Sequence, residues 1–133
     1  MQPKPPLILL VDDVEDARDL YSSYLTYKGY RVVCAADGAE AIACARRERP
    51  DLVLMDLRMP GMSGTETMRT LRTIASLRDV PVIAVTANAL DFEQAEALRA
   101  GFDRVLPKPC LPDHVYEAVT AMLQRHGVTD ATP

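Results

Sequence analysis

The sequence has no long hydrophobic run, and its longest uninterrupted apolar stretches are about five residues. A helix that crosses a bilayer needs ~20 apolar residues, so we expect no membrane insertion. The opening residues, MQPKPP, also lack the apolar stretch of a signal peptide. The three cysteines are an odd number without the spacing of a metal site, which favours reduced thiols in the cytoplasm.

The sequence also lacks an excess of basic charge. It contains 15 Lys and Arg residues and 19 Asp and Glu residues, which gives a net charge of −4. An acidic chain binds nucleic acid poorly unless its bases cluster, and we interpret Arg46, Arg47 and Arg49 as a solvated helix face. The first strand-to-helix turn reads VDDVED, without the glycines of a dinucleotide-binding loop. We therefore expect neither direct nucleic-acid binding nor a dinucleotide site.

The length and apolar content fit one folded domain. The chain has 133 residues, of which 48% are hydrophobic, and single domains are typically ~100–150 residues long. That apolar content excludes an intrinsically disordered chain. We place the domain at residues 7–126, with an N-terminal tail at 1–6 and a C-terminal tail at 127–133.

Short apolar runs rich in branched residues predict the strands. Because these runs are continuous rather than alternating, both faces of each strand should be buried, as in a parallel sheet covered by helices. A fifth run is weaker than the other four. The runs are Leu7–Val11, Arg31–Ala35, Asp51–Met55, Pro81–Val85 and Arg104–Leu106.

Segments with helical periodicity separate these runs, and several begin with a capping signature or an early proline. The regular alternation of strand and helix predicts an α/β fold with right-handed crossovers. We predict a flavodoxin-like (βα)5 fold, a doubly wound five-stranded parallel sheet of order 2-1-3-4-5. The signatures are Asp37 with Glu40, Ser63 with Glu66, Asn88 with Asp91, and Pro112.

The predicted strands end in polar residues that would meet at one edge of the sheet. Asp12 and Asp13 follow the first strand and Asp56 follows the third, while Thr86 and Lys108 follow the fourth and fifth. Asp is a good turn former, which could explain any one position but not the whole set. Adjacent strands lie ~4.8 Å apart, so Asp12, Asp13 and Asp56 should converge.

Converging carboxylates need protonation or a cation to relieve their repulsion. An oxygen-rich site without soft ligands suits Mg²⁺. The hydroxyl of Thr86 can reach the site from the next strand, and the long side chain of Lys108 can span the ~10 Å from the strand beyond it. A divalent cation, an ammonium and a hydroxyl around one carboxylate predict a site for a phosphoryl group.

Four motifs in order resemble the receiver domain of bacterial two-component response regulators. They are VDD at 11–13, LMDLRMPGMSG at 54–64, VTA at 85–87 and LPKP at 106–109. Each motif alone is weak, but together at successive strand ends they are specific. The resemblance covers essentially the whole stretch from residue 7 to residue 126.

The resemblance implies a role for each matching residue. Asp56 would take a phosphoryl group from a phosphohistidine of a sensor histidine kinase or a phosphotransfer protein. Asp12, Asp13 and Asp56, with the backbone carbonyl of Arg58, would hold Mg²⁺. Lys108 would pair with Asp56 at rest and with the phosphoryl oxygen afterwards, and Thr86 would hydrogen-bond that oxygen.

Other positions of the pocket also match the family. The small Ala87 would leave the site open, Met59 belongs to the loop after Asp56, and the Lys108–Pro109 peptide resembles the family's cis bond. Arg58 and Asn88 resemble the positions that tune dephosphorylation. Val105 departs from the pattern, because receivers usually carry Tyr or Phe there as the partner of the threonine.

The resemblance also implies how the protein would signal. We expect a stand-alone cytoplasmic switch that catalyses only its own phosphorylation and dephosphorylation and is not otherwise an enzyme. With no output domain in these 133 residues, it would act by binding a downstream protein. The expected docking surface is the face formed by the fourth helix, the fifth strand and the fifth helix.

Three alternatives stay open. The chain could be the receiver segment of a hybrid histidine kinase, or a degenerate receiver that no longer takes phosphate, for which Val105 is the only supporting feature. An aspartyl-phosphate hydrolase of the haloacid dehalogenase type would need an Asp-x-Asp pattern after the first strand, which the sequence VDDVE does not match.

We interpret Tyr21 as a packing residue and Cys110 as an inert thiol.

Overall fold

The computed structural model describes residues 4–87 and 91–127, with the backbone alone for residues 91–93. Within these residues strands and helices alternate along the chain, and a single 3₁₀ turn at Ala75–Leu77 precedes the fourth strand. The strands are β1 (Leu7–Val11), β2 (Arg31–Ala35), β3 (Leu52–Asp56), β4 (Val82–Thr86) and β5 (Arg104–Pro107). The helices are α1 (Glu15–Tyr27), α2 (Gly38–Glu48), α3 (Gly64–Arg72), α4 (Asp91–Ala100) and α5 (Pro112–Arg125).

All strand pairs are parallel, and the sheet order is β2-β1-β3-β4-β5. The predicted fold class and strand order are confirmed. Helices cover both faces of the sheet, because a parallel crossover needs a helix that packs back on it. Helices α2, α3 and α4 pack on one face, and α1 and α5 pack on the other.

The three inner strands β1, β3 and β4 are buried along their whole length, as the apolar runs predict. The expectation of two buried faces is wrong for both edge strands. In β5 Arg104 and Pro107 are exposed, and in β2 Arg31 and Cys34 are exposed while Val32 and Val33 are only partly buried. β2 lies at the edge of the sheet, where the helices on the two faces cover it incompletely. Apolar continuity therefore identifies this strand but not its position in the sheet.

The predicted helix starts are confirmed where the structure describes them. The side chain of Asp37 accepts a hydrogen bond from the backbone N–H of Glu40 (2.8 Å), and Ser63 does the same for Glu66 (3.2 Å). Pro112 occupies the first residue of α5. The predicted cap at Asn88 lies outside the described residues. None of the described helices has both the length and the apolarity needed to span a bilayer.

Candidate active site

Three carboxylates meet where β1 and β3 end. In the sheet register Val11 lies opposite Met55, so the next residues, Asp12 and Asp56, emerge side by side. Asp13 joins them, and each of the three residues offers a carboxylate oxygen within 4.8 Å of the others. Asp12 and Asp56 are buried, with 3% and 7% of their surface exposed, whereas Asp13 is exposed. The structure therefore brings together the three acids that the sequence places at this edge.

The donor atoms of this cluster fit Mg²⁺. All three residues offer hard carboxylate oxygens, which are the ligands that Mg²⁺ prefers. Two buried carboxylates beside a third also place excess negative charge in a region of low dielectric constant, which a divalent cation would neutralise. The exposed Asp13 leaves the cluster open to solvent, and Mg²⁺ usually retains several waters.

Lys108 reaches this cluster from beyond the end of β5. Its Nζ lies 3.1 Å from Oδ2 of Asp12 and 3.4 Å from Oδ2 of Asp56. The resemblance implies the pairing with Asp56, and the structure adds the shorter contact with Asp12. One ammonium therefore bridges two carboxylates at the ends of neighbouring strands.

Burial and charge oppose each other in this cluster. Burial raises the pKa of Asp56, although the backbone N–H of Arg58 and the ammonium of Lys108 act in the opposite direction. Burial also acts to lower the pKa of Lys108, but its hydrogen bond to Asp12 and the negative charges of both acids outweigh burial, so that this pKa is raised. The lysine is therefore held as a cation beside a carboxylate that burial disfavours in its charged form.

The backbone around Asp56 fixes its carboxylate from the other side. The backbone N–H of Arg58 donates to Oδ1 of Asp56 at 3.1 Å, which leaves Oδ2 to Lys108. Gly64, at the start of α3, packs against the backbone of Asp56 and Leu57 so closely that a Cβ at this position would overlap the carbonyl oxygen of Asp56. The absence of a side chain at residue 64 therefore lets α3 approach the end of β3.

Thr86 and the segment around Lys108 form the rest of the site at the carboxyl edge of the sheet. Thr86 is buried at the end of β4, and its carbonyl accepts a 2.7 Å hydrogen bond from the backbone N–H of Lys108. The Lys108–Pro109 peptide is cis, as the resemblance implies, and Pro109 is exposed. Ala87 is exposed directly after β4. Asn88 lies outside the described residues.

The remaining predicted positions lie around this centre. Arg58 is exposed, whereas Met59 is buried in the apolar cluster beneath α2, α3 and α4. Val105 is half-buried and packs against the same cluster, opposite Ala84 in the sheet. Position 105 therefore provides no aromatic ring as a partner for Thr86.

Two residues of α1 that sequence reasoning did not assign to the site also hold it in place. Nη1 of Arg18 donates to the carbonyl of Asp12 (2.8 Å), and the hydroxyl of Tyr21 donates to the carbonyl of Cys110 (2.7 Å). Residues three apart on a helix share a face, so their spacing is the one signal that could have linked them. This spacing does not reveal that the face contacts two separate segments. One is the loop after β1, which contains Asp12, and the other is the segment between β5 and α5, which contains Cys110.

Comparison with known proteins gives a consistent result. A family model described as the response regulator receiver domain matches residues 8–120. The probable transcriptional regulatory protein TcrX of Mycobacterium tuberculosis is 36% identical over 126 residues, which are 95% of this chain and 53% of TcrX. The chain thus spans about half the length of the curated relatives it matches.

Solved structures share the fold over nearly the whole chain. The chemotaxis response regulator CheY4 of Vibrio cholerae has a TM-score of 0.86 and 30% identity, covering 90% of this chain and 100% of CheY4. The receiver domain of the sensor histidine kinase PA1611 of Pseudomonas aeruginosa has a TM-score of 0.82 and 35% identity, covering 90% of this chain and 98% of that one. That structure contains a magnesium ion coordinated in the active-site cleft.

Proposed function

Because the chain belongs to the response regulator receiver domain family of two-component systems, we propose that Asp56 accepts a phosphoryl group in a signalling reaction. The observation that carries this proposal is the arrangement at the end of β3. Asp56 has one carboxylate oxygen held by a backbone N–H and the other beside an ammonium, within a cluster of three acids. Such an environment orients a nucleophile and supplies positive charge for a trianionic group.

The transfer forms one bond and breaks another. A carboxylate oxygen of Asp56 attacks the phosphorus of a phosphohistidine, the phosphorus–nitrogen bond breaks, and its electron pair stays on the imidazole, which takes up a proton. Lys108, already beside Oδ2 of Asp56, pairs with a phosphoryl oxygen in the product. Thr86, buried at the end of the adjacent strand, donates its hydroxyl to that oxygen.

Mg²⁺ is the cofactor of this proposal. Asp12, Asp13 and Asp56 would hold it, with the backbone carbonyl of Arg58 as a further oxygen ligand. When bound, the ion supplies charge neutralisation for the phosphoryl oxygens. The magnesium in the cleft of the PA1611 receiver domain supports this assignment.

The catalysis is confined to the protein's own phosphorylation and dephosphorylation. Water can reach the site past the exposed Asp13, and the acyl phosphate is lost when water attacks its phosphorus. Arg58 and Asn88 then influence the rate of that loss. A hydrolase of the haloacid dehalogenase type would instead use a nucleophile after β1 in an Asp-x-Asp pattern, which the sequence VDDVE does not match.

The partners follow from the family. The phosphodonor is a sensor histidine kinase or a phosphotransfer protein in the cytoplasm, and the output is phosphorylation-dependent binding of a protein to the face of α4, β5 and α5. The relatives extend well beyond the matched region, and one structural neighbour is part of a sensor kinase. The same chemistry would therefore serve a separate response regulator or the receiver segment of a hybrid kinase.

Phosphodonor labelling tests the proposal. With acetyl phosphate and Mg²⁺, the wild-type protein should gain one phosphoryl group by intact-protein mass spectrometry, and Asp56→Asn should gain none. Asp79→Asn, which removes an exposed carboxylate away from the cluster, is the matched control and should label like the wild type. Unlabelled wild type would favour the degenerate receiver, and steady turnover of a phosphate ester would favour the hydrolase.

A further inference from the structure

A second recess lies beside the proposed phosphorylation site and shares Arg58 and Thr86 with it. It is a cleft of about 490 Å³ between α3 and α4. Thr65 and Arg69 line it from α3, and Glu96 and Arg99 line it from α4. At its inner end the cleft reaches Thr86, so it adjoins the carboxyl edge of the sheet.

The described lining of this cleft has a charge opposite to that of the whole protein. Among the residues that the structure describes, three arginines (Arg58, Arg69 and Arg99) and one glutamate (Glu96) line it, a balance of 3 − 1 = +2 on a chain whose net charge is −4. Two of the arginines, Arg69 and Arg99, are exposed and approach the cleft from different helices. The positive charge therefore comes from residues on two different helices rather than from one segment of the sequence.

The floor of the cleft is apolar. Ala97 is buried there and Leu57 is half-buried. The described lining residues span Thr65 to Arg69 on α3 and Glu96 to Ala100 on α4, which at ~1.5 Å per residue is about 6 Å along each helix. An extended chain rises ~3.3 Å per residue, so about two residues of a peptide would lie along this stretch.

We propose that this cleft is the docking site for a short acidic segment of a partner protein, with carboxylates that pair with Arg69 and Arg99 and an apolar side chain on the floor. Guanidinium groups recognise carboxylates in bidentate geometry, which suits this lining. Nucleic acid is disfavoured as the occupant, because the chain carries a net charge of −4. The proposal does not depend on phosphorylation of Asp56.

Peptide titration tests the proposal directly. The probe is a short fluorescein-labelled peptide that alternates glutamate and leucine, and its partner control alternates lysine and leucine. Amide shifts in the ¹⁵N-labelled wild-type protein should appear at Thr65, Arg69, Ala97 and Arg99 with the acidic peptide only. Binding should weaken as salt is raised, because the contact is between charges.

Variants of equal net charge test whether the cleft is the site that binds the acidic peptide. Arg69→Glu with Arg99→Glu should weaken peptide binding by roughly ten-fold or more, because like charges would then face the peptide. Arg46→Glu with Arg47→Glu makes the same change on the exposed face of α2 and should leave binding unchanged. Arg69→Gln with Arg99→Gln should weaken binding by a smaller factor, and it serves as the test if the charge-reversed variant does not fold.

The other outcomes contradict the proposal. Absence of shifts in the cleft, equal binding of the lysine peptide, or equal losses in the α2 variant would each overturn it. Shifts produced equally by inorganic phosphate would reassign the cleft to small anions. None of these results depends on the fate of Asp56, so failure here is distinguishable from failure of the proposed phosphorylation.

Discussion

The hydroxyl of Tyr21 donates a 2.7 Å hydrogen bond to the backbone carbonyl of Cys110. This bond ties α1 to the segment two residues after Lys108, across 89 positions of sequence. One turn earlier on the same helix, Arg18 holds the carbonyl of Asp12. Helix α1 thus contacts both the loop that contains Asp12 and the segment that follows Lys108.

Tyr21→Phe tests the role of this bond. The ring remains packed while the carbonyl of Cys110 loses its donor, so the free energy of unfolding should fall by about 1 kcal/mol. Because Lys108 is then less firmly placed, phosphorylation by acetyl phosphate should also slow. Tyr27→Phe removes a hydroxyl from an exposed ring of the same helix and should change neither quantity. Equal phosphorylation rates in Tyr21→Phe and wild type would show that the bond is structural only.

Lys108→Ala tests the electrostatic balance of the cluster. Removal of the ammonium leaves Asp12 and Asp56 without their cation, which should cost about 1–3 kcal/mol of stability at neutral pH. Mg²⁺ should then raise the melting temperature of the variant more than that of the wild type, because the ion replaces the lost charge. Calorimetry with and without Mg²⁺ measures this difference. Lys4→Ala is the control, and an equal Mg²⁺ effect in all three proteins would refute the argument.

The thiols of Cys44 and Cys110 lead us to expect a loss of stability at alkaline pH. Burial raises the pKa of both thiols above 9.0, the ordinary value. Above pH 9 the unfolded chain therefore releases thiol protons more readily than the folded chain, and stability falls as pH rises. Urea unfolding at neutral pH and near pH 10 should show this loss. Cys44→Ala lowers stability at both pH values but should reduce the difference between them, and an unchanged difference would contradict the assignment.

Much of the fold and the site can be predicted from the sequence, because the signals involved are local. Apolar runs identify the strands, the caps at Asp37 and Ser63 identify helix starts, and Asp12, Asp56 and Thr86 lie at strand ends. Once the strand order is assumed, the convergence of the acids follows from the sheet spacing alone.

The rest depends on contacts between distant elements. Cys34 is exposed because β2 lies at the edge of the sheet, and the amino-acid composition of β2 does not reveal this position. The reach of Lys108 to Asp12 as well as Asp56 depends on the path of the segment after β5. The bonds of Arg18 and Tyr21 depend on the rotation of α1 about its axis, which helical periodicity fixes only coarsely.

The central claim is that the phosphoryl group resides on Asp56. Borohydride reduces an aspartyl phosphate to homoserine, so reduction of the labelled protein followed by peptide mass spectrometry locates the modified residue. We expect homoserine at position 56 alone, and only when Mg²⁺ and the phosphodonor are both present. Homoserine at Asp12 or Asp13, or none at any position in a protein that retains its fold, would contradict the account.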